Sequence, residues 1–489
     1  MKKVYSLQIL ILITALALPG YANHIDVSST FITGPNTIDH YALVQFDLSW
    51  ENSWRDNVNW DAAWVFVKYQ MAGGDWHHAY LNTTAGNHTI PGGYTCSVGL
   101  TGGNGMGVFI YRSANGSGNT NLAGVQLRWE YGANGVPDGT IVKVKVFALE
   151  MVYIPEGGFY VGDADADQQY CFYEYGTSGP FQITGEGAIN IGQTSGYLWA
   201  KDSGYIETST LPAAFPKGYA AFYCMKYEVS QEQYADFLNT LTTTQDGTRF
   251  PNQNGNYRHT IGGTQGSRTA GVPDRACNYL SWMDGAAYAD WAGLRPMTEL
   301  EFEKVCRGTQ AVVDDEYAWG NAQIANWAYT LNNDGTPNAT VSNAASDPTG
   351  NASYTTTAGS INGPLRCGIF ATGSSSRAEA GASYYGVMEM SGNLYERPVT
   401  VGNATGRGFT GTHGDGALSD DGSSDGNATN SDWPGYSGGE VTGATGAGFR
   451  GGVWIASASV GRVSARSDAG VAHTYRYSYF GFRGVRVAP

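Results

Sequence analysis

The sequence predicts an all-β sandwich over residues 23–150, followed by an irregular α+β domain over residues 151–489. Short apolar segments with partial alternation follow one another in the first part, and capped helix starts occur in the second. Charged residues make up 15% of the chain and 68 residues are glycine, a composition that favours turns over long helices. A chain of 489 residues also favours two or more domains over one.

The first residues have the organisation of an export signal. Lys2 and Lys3 precede an apolar run at residues 7–18, and small residues then lead to a cleavage site after Ala22. The run is short for a spanning helix. We therefore expect a signal peptide at residues 1–22, a secreted or cell-surface protein, and no transmembrane segment in the mature chain.

The sandwich prediction rests on five apolar segments separated by glycine and asparagine clusters. They are residues 41–50, 63–69, 107–111, 125–129 and 141–147. The same region holds several tryptophans, which we interpret as core and rim residues rather than as a sugar-binding platform. They are Trp50, Trp54, Trp60, Trp64 and Trp76.

Helix signals mark the second domain. Ser230 and Gln233 form a capping box, and an apolar face follows at Tyr234, Phe237, Leu238 and Leu241. A second helix is predicted over residues 281–290, and a third begins with the capping box of Thr298 and Glu301. Residues 402–448 have the composition of a linker, but they lie between ordered motifs and are predicted to form a long surface loop.

Charge and cysteine content limit the possible functions. The formal net charge is −15 and the sequence contains no basic cluster, which argues against nucleic acid as a partner. Six cysteines in an exported chain permit disulfides, but their spacing leaves all fifteen pairings open. They are Cys96, Cys171, Cys224, Cys277, Cys306 and Cys367.

Seven motifs of the second domain, in this order, resemble the formylglycine-generating enzyme (sulfatase-modifying factor) family. The resemblance implies an irregular α+β domain that is a variant of the C-type lectin fold. The motifs are at residues 151–162, 227–239, 294–303, 317–320, 390–396, 450–454 and 481–486.

The residues that perform this family's chemistry are missing. The family binds copper through two cysteines just after its glycine-glycine-serine-aromatic motif, and thiolates are the ligands that Cu(I) prefers. Ala456 and the residues around Val460 occupy that region here. We therefore expect neither copper nor formylglycine production.

A related branch of the family uses iron bound by histidines. His77 and His78 are adjacent on a predicted strand, so their side chains point to opposite faces, and we expect both at the surface.

Calcium is a cofactor that the resemblance does imply. Gly392, Asn393, Leu394 and Glu396 match a family turn that binds calcium through backbone oxygens and one carboxylate, ligands that suit Ca²⁺. Asn326, with the tryptophan that follows it, resembles part of a second calcium site. Residues 163–167 also have the spacing of a calcium loop, although a solvated acidic turn is the better interpretation.

The C-terminal segment is the predicted binding surface. Tyrosine among small residues is typical of adaptable binding surfaces, although a terminal loop with partly buried tyrosines would have the same composition. The segment also resembles the diversified C-terminus of variable proteins of diversity-generating retroelements, because it lies between a glycine-glycine-serine-tryptophan-like motif and a glycine-phenylalanine-arginine motif. Adenine mutagenesis of asparagine codons yields codons that end in a pyrimidine, and every residue at 455–479 can be encoded in this way.

Arg450 and Arg483 of the flanking motifs are predicted to pair with carbonyls or carboxylates of the scaffold. In an extended backbone the three tyrosines of this segment would share one face, with Arg476 and Ser478 on the other. The predicted contact residues are Trp454, Ser457, Ser459, Arg462, Ser464, His473, Tyr475, Tyr477 and Tyr479.

Three hypotheses for the function follow from the sequence. The first is a secreted, non-catalytic binding protein on a lectin-like scaffold, with an extracellular protein or a glycan as ligand. The second is an enzyme with an unrecognised site, which a buried cluster of histidine, cysteine or carboxylate groups would favour. The third is a structural subunit of an extracellular matrix or surface assembly, which would need large self-complementary faces.

Overall fold

The computed structural model describes residues 25–164, 170–200, 206–420, 422 and 425–489. The predicted signal peptide at residues 1–22 and residues 165–167 of the acidic stretch lie outside the described residues. Within this part of the chain, no helix combines the length and the apolar character that crossing a membrane requires.

The strands are short outside the first 154 residues. Strands β1 to β8 are Asp26–Asn36, Tyr41–Arg55, Asp61–Met71, Trp76–His78, Tyr94–Thr101, Asn104–Arg112, Gly116–Trp129 and Val142–Ile154. Strands β9 to β16 are Phe159–Val161, Phe172–Glu174, Phe181–Ile183, Ile189–Ile191, Leu198–Ala200, Ser209–Leu211, Phe222–Met225 and Ile261–Gly262. Strands β17 to β23 are Thr269–Ala270, Arg295–Pro296, Leu331–Asn332, Thr340–Val341, Tyr436–Ser437, Glu440–Val441 and Gly484–Val487.

The helices of the described residues are also short. Helices α1 to α6 are Gln231–Leu238, Thr243–Arg249, Trp282–Trp291, Glu299–Arg307, Thr355–Ala358 and Ala404–Arg407. Two 3₁₀ turns lie at Ala85–Asn87 and Ala458–Gly461. The capping boxes predicted at Ser230 and Thr298 are both formed.

The first domain is a sandwich, as predicted. A three-stranded sheet in the order β1–β2–β7 packs on part of an eight-stranded sheet, and all five predicted strand segments overlap its strands. Buried and half-buried residues alternate along the first ten residues of β2, with Val44, Phe46 and Leu48 in the core between the sheets. Trp50 and Trp64 are buried and the other three tryptophans are half-buried, as expected for core and rim residues.

Strand β3 is buried on both of its faces. Val65 and Val67 point into the core between the two sheets, whereas Trp64 and Phe66 belong to the core of the second domain. The Trp64 indole N–H donates to the carbonyl of Ala292 at 2.8 Å, just after α3. A strand covered on both sides needs apolar residues at successive positions, which explains why its sequence does not alternate.

Strand β8 joins the two predicted domains. It pairs with β3 through Val152 and, from Met151 onward, also pairs with β15. The strand order β18–β23–β15–β8–β3–β6–β5 therefore runs through both domains as one sheet. The boundary predicted between residues 150 and 151 falls inside this strand, because β8 continues for several residues beyond the alternating segment from which its end was predicted.

Residues 402–448 are irregular, as predicted, but they do not lie only on the surface. Phe409, Trp433 and Val441 are buried in the same core as α3. The Trp282 indole N–H at the start of α3 donates to the carbonyl of Pro434 at 2.7 Å. Widely spaced apolar residues fix this glycine-rich segment to the domain, and their spacing follows neither a helix nor a strand.

We predict that the sandwich and the second domain unfold together. Because β8 supplies hydrogen bonds to both, removal of residues 25–154 exposes the edge of β15 and the apolar face beneath β3. Calorimetry should show one transition for the full chain and no cooperative transition for a fragment of residues 155–489. Two resolved transitions, or a fragment that melts cooperatively near the temperature of the full chain, would contradict the shared sheet.

Candidate ligand-binding site

Helix α4 holds the first half of the C-terminal segment through buried ion pairs. Arg450 donates to Glu299 at 3.1 Å and to Glu303 at 2.7 Å. Arg466 binds both carboxylate oxygens of Glu299, at 2.7 and 3.0 Å. Burial alone would raise the pKa of Glu299, but the two guanidinium groups more than offset it and hold the pKa below its usual range. Glu299 is therefore ionised and fixes two points of the segment.

Two further arginines fix the second half. Arg476 forms a bidentate pair with Asp284 in the first turn of α3, with both distances at 2.6 Å. Arg483 donates to Glu396 at 2.7 Å and to the carbonyls of Met225 and Met388 at 2.8 Å. The predicted pairing of Arg450 and Arg483 with scaffold groups is confirmed. We call Arg450, Arg466, Arg476 and Arg483 the arginine frame.

A row of tyrosines lies on the surface between these anchors. Tyr475 is 63% exposed and Tyr477 is 40% exposed, whereas Tyr479 is half-buried. The rings of Tyr477 and Tyr479 are stacked with their centroids 5.3 Å apart, and those of Tyr475 and Tyr477 are 6.0 Å apart. Arg476 and the buried Ser478 point to the other side, as the alternation predicts. We call Tyr475, Tyr477 and Tyr479 the tyrosine row.

The tyrosine row continues towards a residue that the sequence did not indicate. Tyr257 is 46% exposed, and its ring lies 5.8 Å from that of Trp454. The Asn278 amide connects the two parts, because it donates to the carbonyls of Tyr257 at 2.9 Å and Ser478 at 3.1 Å. A single tyrosine in a polar loop, far away in sequence, belongs to no motif that could have predicted this contact.

Three of the predicted contact residues face the scaffold instead. Trp454 is only 5% exposed, and its indole N–H donates to the carbonyl of Ser478 at 3.2 Å, so it anchors the segment. Ser464 is buried and donates to Asp163 at 2.6 Å. Arg462 is half-buried and forms an ion pair with Asp315 at 2.6 Å. For Ser464 and Arg462 the cause is that acidic residues from distant parts of the chain lie beneath them, whereas Trp454 packs in an apolar cluster with Tyr227 and Leu394.

The remaining predicted contacts are on the surface. Ser457 and Ser459 are exposed, with their hydroxyl oxygens 2.9 Å apart. His473 is exposed, and its ring centroid lies 6.0 Å from that of Tyr475. His473 is therefore contiguous with the tyrosine row.

The acidic group beneath this stretch includes part of the sequence that resembled a calcium loop. Carboxylate oxygens of Asp163, Asp314 and Asp315 lie within 4.8 Å of one another. Asp163 and Asp315 accept the contacts from Ser464 and Arg462 described above. The observed role of this acidic group is thus to hold the C-terminal segment. Residues 165 and 167 of the loop lie outside the described residues.

The predicted calcium turn makes protein contacts at its polar side chains. The Asn393 amide oxygen accepts from the N–H of Leu365 at 2.8 Å, and its nitrogen donates to Glu228. The N–H of Leu394 also donates to Glu228, at 2.9 Å, and Glu396 is paired with Arg483. The carboxylate expected to bind a cation already has a guanidinium partner, so these residues do not fit Ca²⁺ in this arrangement.

The surroundings of the turn add positive charge. Arg397 is buried, stacks on Phe449 at 4.2 Å and donates to the carbonyl of His473 at 2.8 Å. Burial lowers the pKa of Arg397 to about 9. Gly392 is buried within the turn, whereas Asn326 of the second predicted site is exposed. The turn at Gly392 therefore does not fit Ca²⁺ in this arrangement, whereas calcium binding through Asn326 stays a prediction.

The cysteines do not offer a redox or copper site. All six are buried thiols. Burial raises the pKa of each of them, for example that of Cys96 to about 11, so none is primed as a thiolate. Alanine and valine cannot ligate copper, so the residues around Ala456 and Val460 do not fit that cofactor.

The strand-rich sandwich, the irregular α+β body and the seven motifs define a protein of the sulfatase-modifying-factor class. The family model described as "Sulfatase-modifying factor enzyme 1-like domain" matches residues 140–488, and the chain belongs to this family. The predicted fold class is thereby confirmed.

Its curated relatives include three formylglycine-generating enzymes. Those of Bos taurus, Thermomonospora curvata and Streptomyces coelicolor are 28%, 27% and 41% identical over 130, 200 and 59 residues. The matches cover 21%, 36% and 12% of this chain and 34%, 53% and 18% of the relatives. The chain thus spans between about a fifth and about half of their length.

Among solved structures, Treponema denticola variable protein 1 aligns over 70% of this chain and 96% of its own. The sequence identity is 13% and the TM-score is 0.33. A likeness at this level gives no residue-by-residue correspondence.

We predict that Glu396 stabilises the fold through Arg483 and not through a cation. Glu396→Gln leaves a buried guanidinium without its counter-charge, so the free energy of unfolding should fall by about 3–5 kcal/mol. Chemical denaturation with and without a chelator should give the same loss, and Glu156→Gln, at an exposed glutamate, should change little. A loss that disappears in chelator would instead place Ca²⁺ at this carboxylate.

Proposed function

We propose that the chain is a secreted, non-catalytic ligand-binding protein that contacts an extracellular protein or a glycan through the tyrosine row. The observation that carries this proposal is the combination of exposed aromatic side chains with a buried arginine frame. Aromatic side chains supply large contact areas with little loss of conformational entropy, and they often dominate binding energy. A fixed backbone lowers the entropic cost of binding further.

The composition of the surface supports the same proposal. Ile455 is 45% exposed near the start of the segment, and Tyr257 extends the aromatic area on the far side of Trp454. Exposed aromatic and aliphatic groups that are contiguous, rather than scattered, are typical of interaction sites. His473 and the two serines at positions 457 and 459 add polar groups for hydrogen bonds.

We further propose that the segment between the anchors is diversified. The arginine frame and Trp454 make the contacts that hold the backbone, whereas Tyr475, Tyr477 and His473 make few contacts that the fold requires. Replacement of such exposed side chains usually costs little stability. A reverse transcriptase gene and a near-copy of the last codons beside this gene would support diversification, and their absence would count against it.

The alternative of an enzyme is favoured by the curated relatives, which are formylglycine-generating enzymes. We predict that this chain does not convert cysteine to formylglycine, because Ala456 and Val460 provide no thiolates for copper. Mass spectrometry of a cysteine-containing sulfatase peptide, incubated with the protein, Cu(I) and oxygen, should show an unchanged peptide. Formation of formylglycine above a protein-free control would refute the non-catalytic proposal.

The tyrosine row can be tested directly. We expect that replacement of Tyr475, Tyr477 and Tyr479 together by serine weakens binding to the best ligand of a glycan array and an extracellular-protein array by at least about tenfold. The melting temperature should change by only a few degrees, because two of the three rings are exposed.

The matched control replaces tyrosines of similar exposure elsewhere. Tyr160 and Tyr436 are 36% and 37% exposed, and their joint replacement by serine should leave binding unchanged. A large drop in the melting temperature of the triple variant would show that the tyrosine row belongs to the hydrophobic core. A stable triple variant with unchanged binding would show that the ligand contacts another surface of the protein.

A further inference from the structure

A cavity lies where the sandwich meets the second domain. It has a volume of about 470 Å³. One wall comes from β3, β4 and the turn after β4, and the other comes from the α1–α2 connection, the end of α3 and residues 415–420. The family match begins at residue 140, so the first wall is not part of the family domain. The tyrosine row does not contribute to this cavity.

Lys68 lies in the wall, with its ammonium 5.4 Å from the Trp291 ring and 6.0 Å from the Phe66 ring. It is 1% exposed, and its ammonium donates to the carbonyl of Gly416 at 3.0 Å. No carboxylate of the described residues lies within 4.0 Å of that nitrogen. An ammonium has three donors, and a buried cation without a close counter-ion is costly. Burial lowers the pKa of Lys68 to about 7, although Asp290 and Asp415 act in the opposite direction.

His78 adds an unpartnered acceptor to the same wall. Contrary to the sequence-based expectation it is buried, at 5% exposure, whereas His77 is exposed. Its Nε2 lies 2.6 Å from the carbonyl of Met106, while Nδ1 is buried without a hydrogen-bond partner. Nε2 must therefore be the protonated nitrogen in the neutral ring, and Nδ1 is the acceptor. Nδ1 is enclosed against Gly416, so the spare donors of the Lys68 ammonium are the unused hydrogen-bonding capacity that a bound molecule can take up.

The rest of the lining combines aromatic, acidic, uncharged polar and aliphatic residues. Trp76 is half-buried, with the Lys145 ammonium 5.1 Å from its ring, and Tyr69 and Tyr80 also contribute to the cavity. Aromatic rings with polar tips bind ligands that present both C–H faces and hydroxyl groups.

The charges of the lining select against anions. The cavity lining contains the three carboxylates of Asp75, Asp415 and Asp420 and the one ammonium group of Lys68. Carboxylates accept hydrogen bonds, so a ligand that donates several of them is favoured, and it must also offer an oxygen to Lys68. A hydroxyl group can donate a hydrogen bond to a carboxylate and accept one from the Lys68 ammonium.

The cavity also has room for more than one ring. An open groove of about 1030 Å³ shares Asp75, Trp76 and residues 240–242 with it. The groove is lined by uncharged polar groups such as Thr243, Thr244 and Gln265, and by two lysines. A linear ligand could place one unit against Lys68 and extend across Trp76.

We propose that this cleft binds a neutral saccharide, with Trp76 as the stacking platform and Lys68 as the hydrogen-bond donor at its inner end. For Trp76 this revises the interpretation as a core or rim residue rather than a sugar-binding platform. The site is independent of the tyrosine row, and both could act in one molecule.

The test is calorimetric titration of the full chain with neutral trisaccharides: maltotriose, cellotriose, chitotriose and mannotriose. We expect saturable binding of at least one, with a Kd of about 1 mM or tighter. Trp76→Ala and Lys68→Met should each weaken that binding by at least about tenfold. Methionine has a similar length and leaves no buried charge, so Lys68→Met should fold, as a thermal melt would verify.

Two controls separate this proposal from the previous one. Trp327→Ala, at a 41% exposed tryptophan outside the cleft, should bind the saccharide normally. The triple tyrosine-to-serine variant should also retain saccharide binding. Absence of binding by all four trisaccharides, binding that survives Trp76→Ala, or preference for a peptide or for an anion such as acetate would overturn the proposal.

Discussion

The ion pairs of helix α4 are the interaction on which the rest of the second domain depends. Glu299 and Glu303 receive Arg450 and Arg466 from the C-terminal segment, and Glu303 also accepts from the N–H of Gly162 at 2.7 Å. Three stretches of chain, far apart in sequence, therefore meet at one buried helix. Because buried charges are costly to separate, this arrangement specifies one conformation more than it adds stability.

This frame explains how a segment with little regular structure can present a defined surface. Between the arginines the backbone needs no strand or helix, since side-chain pairs supply the contacts that hydrogen-bonded ladders supply elsewhere. The stretch from Ile455 to Val460, which follows the glycine-glycine motif, consists of small or apolar side chains and contains no cysteine.

The sequence was sufficient for features that depend on local pattern. Alternation gave the strands of the sandwich, capping boxes gave the helix starts, and the alternation of Tyr475, Arg476 and Tyr477 gave their opposite orientations. Features that depend on distant partners could not be predicted. The apolar run of β3 does not reveal what covers its second face, and nothing near Ser464 or Arg462 in the sequence indicates the aspartates beneath them. The burial of Lys68 likewise results from a loop more than three hundred residues away.

The position of β23 has a consequence for how the molecule is made. This strand lies between β15 and β18, so residues 484–487 complete a sheet whose other members were synthesised more than 180 residues earlier. Until they arrive, β15 and the short strand at Arg295 have an open edge between them. Sheets whose paired strands are far apart in sequence form slowly, and their strand edges stay unpaired until the last strand is added. The order of synthesis therefore delays completion of the fold until almost the whole second domain is available.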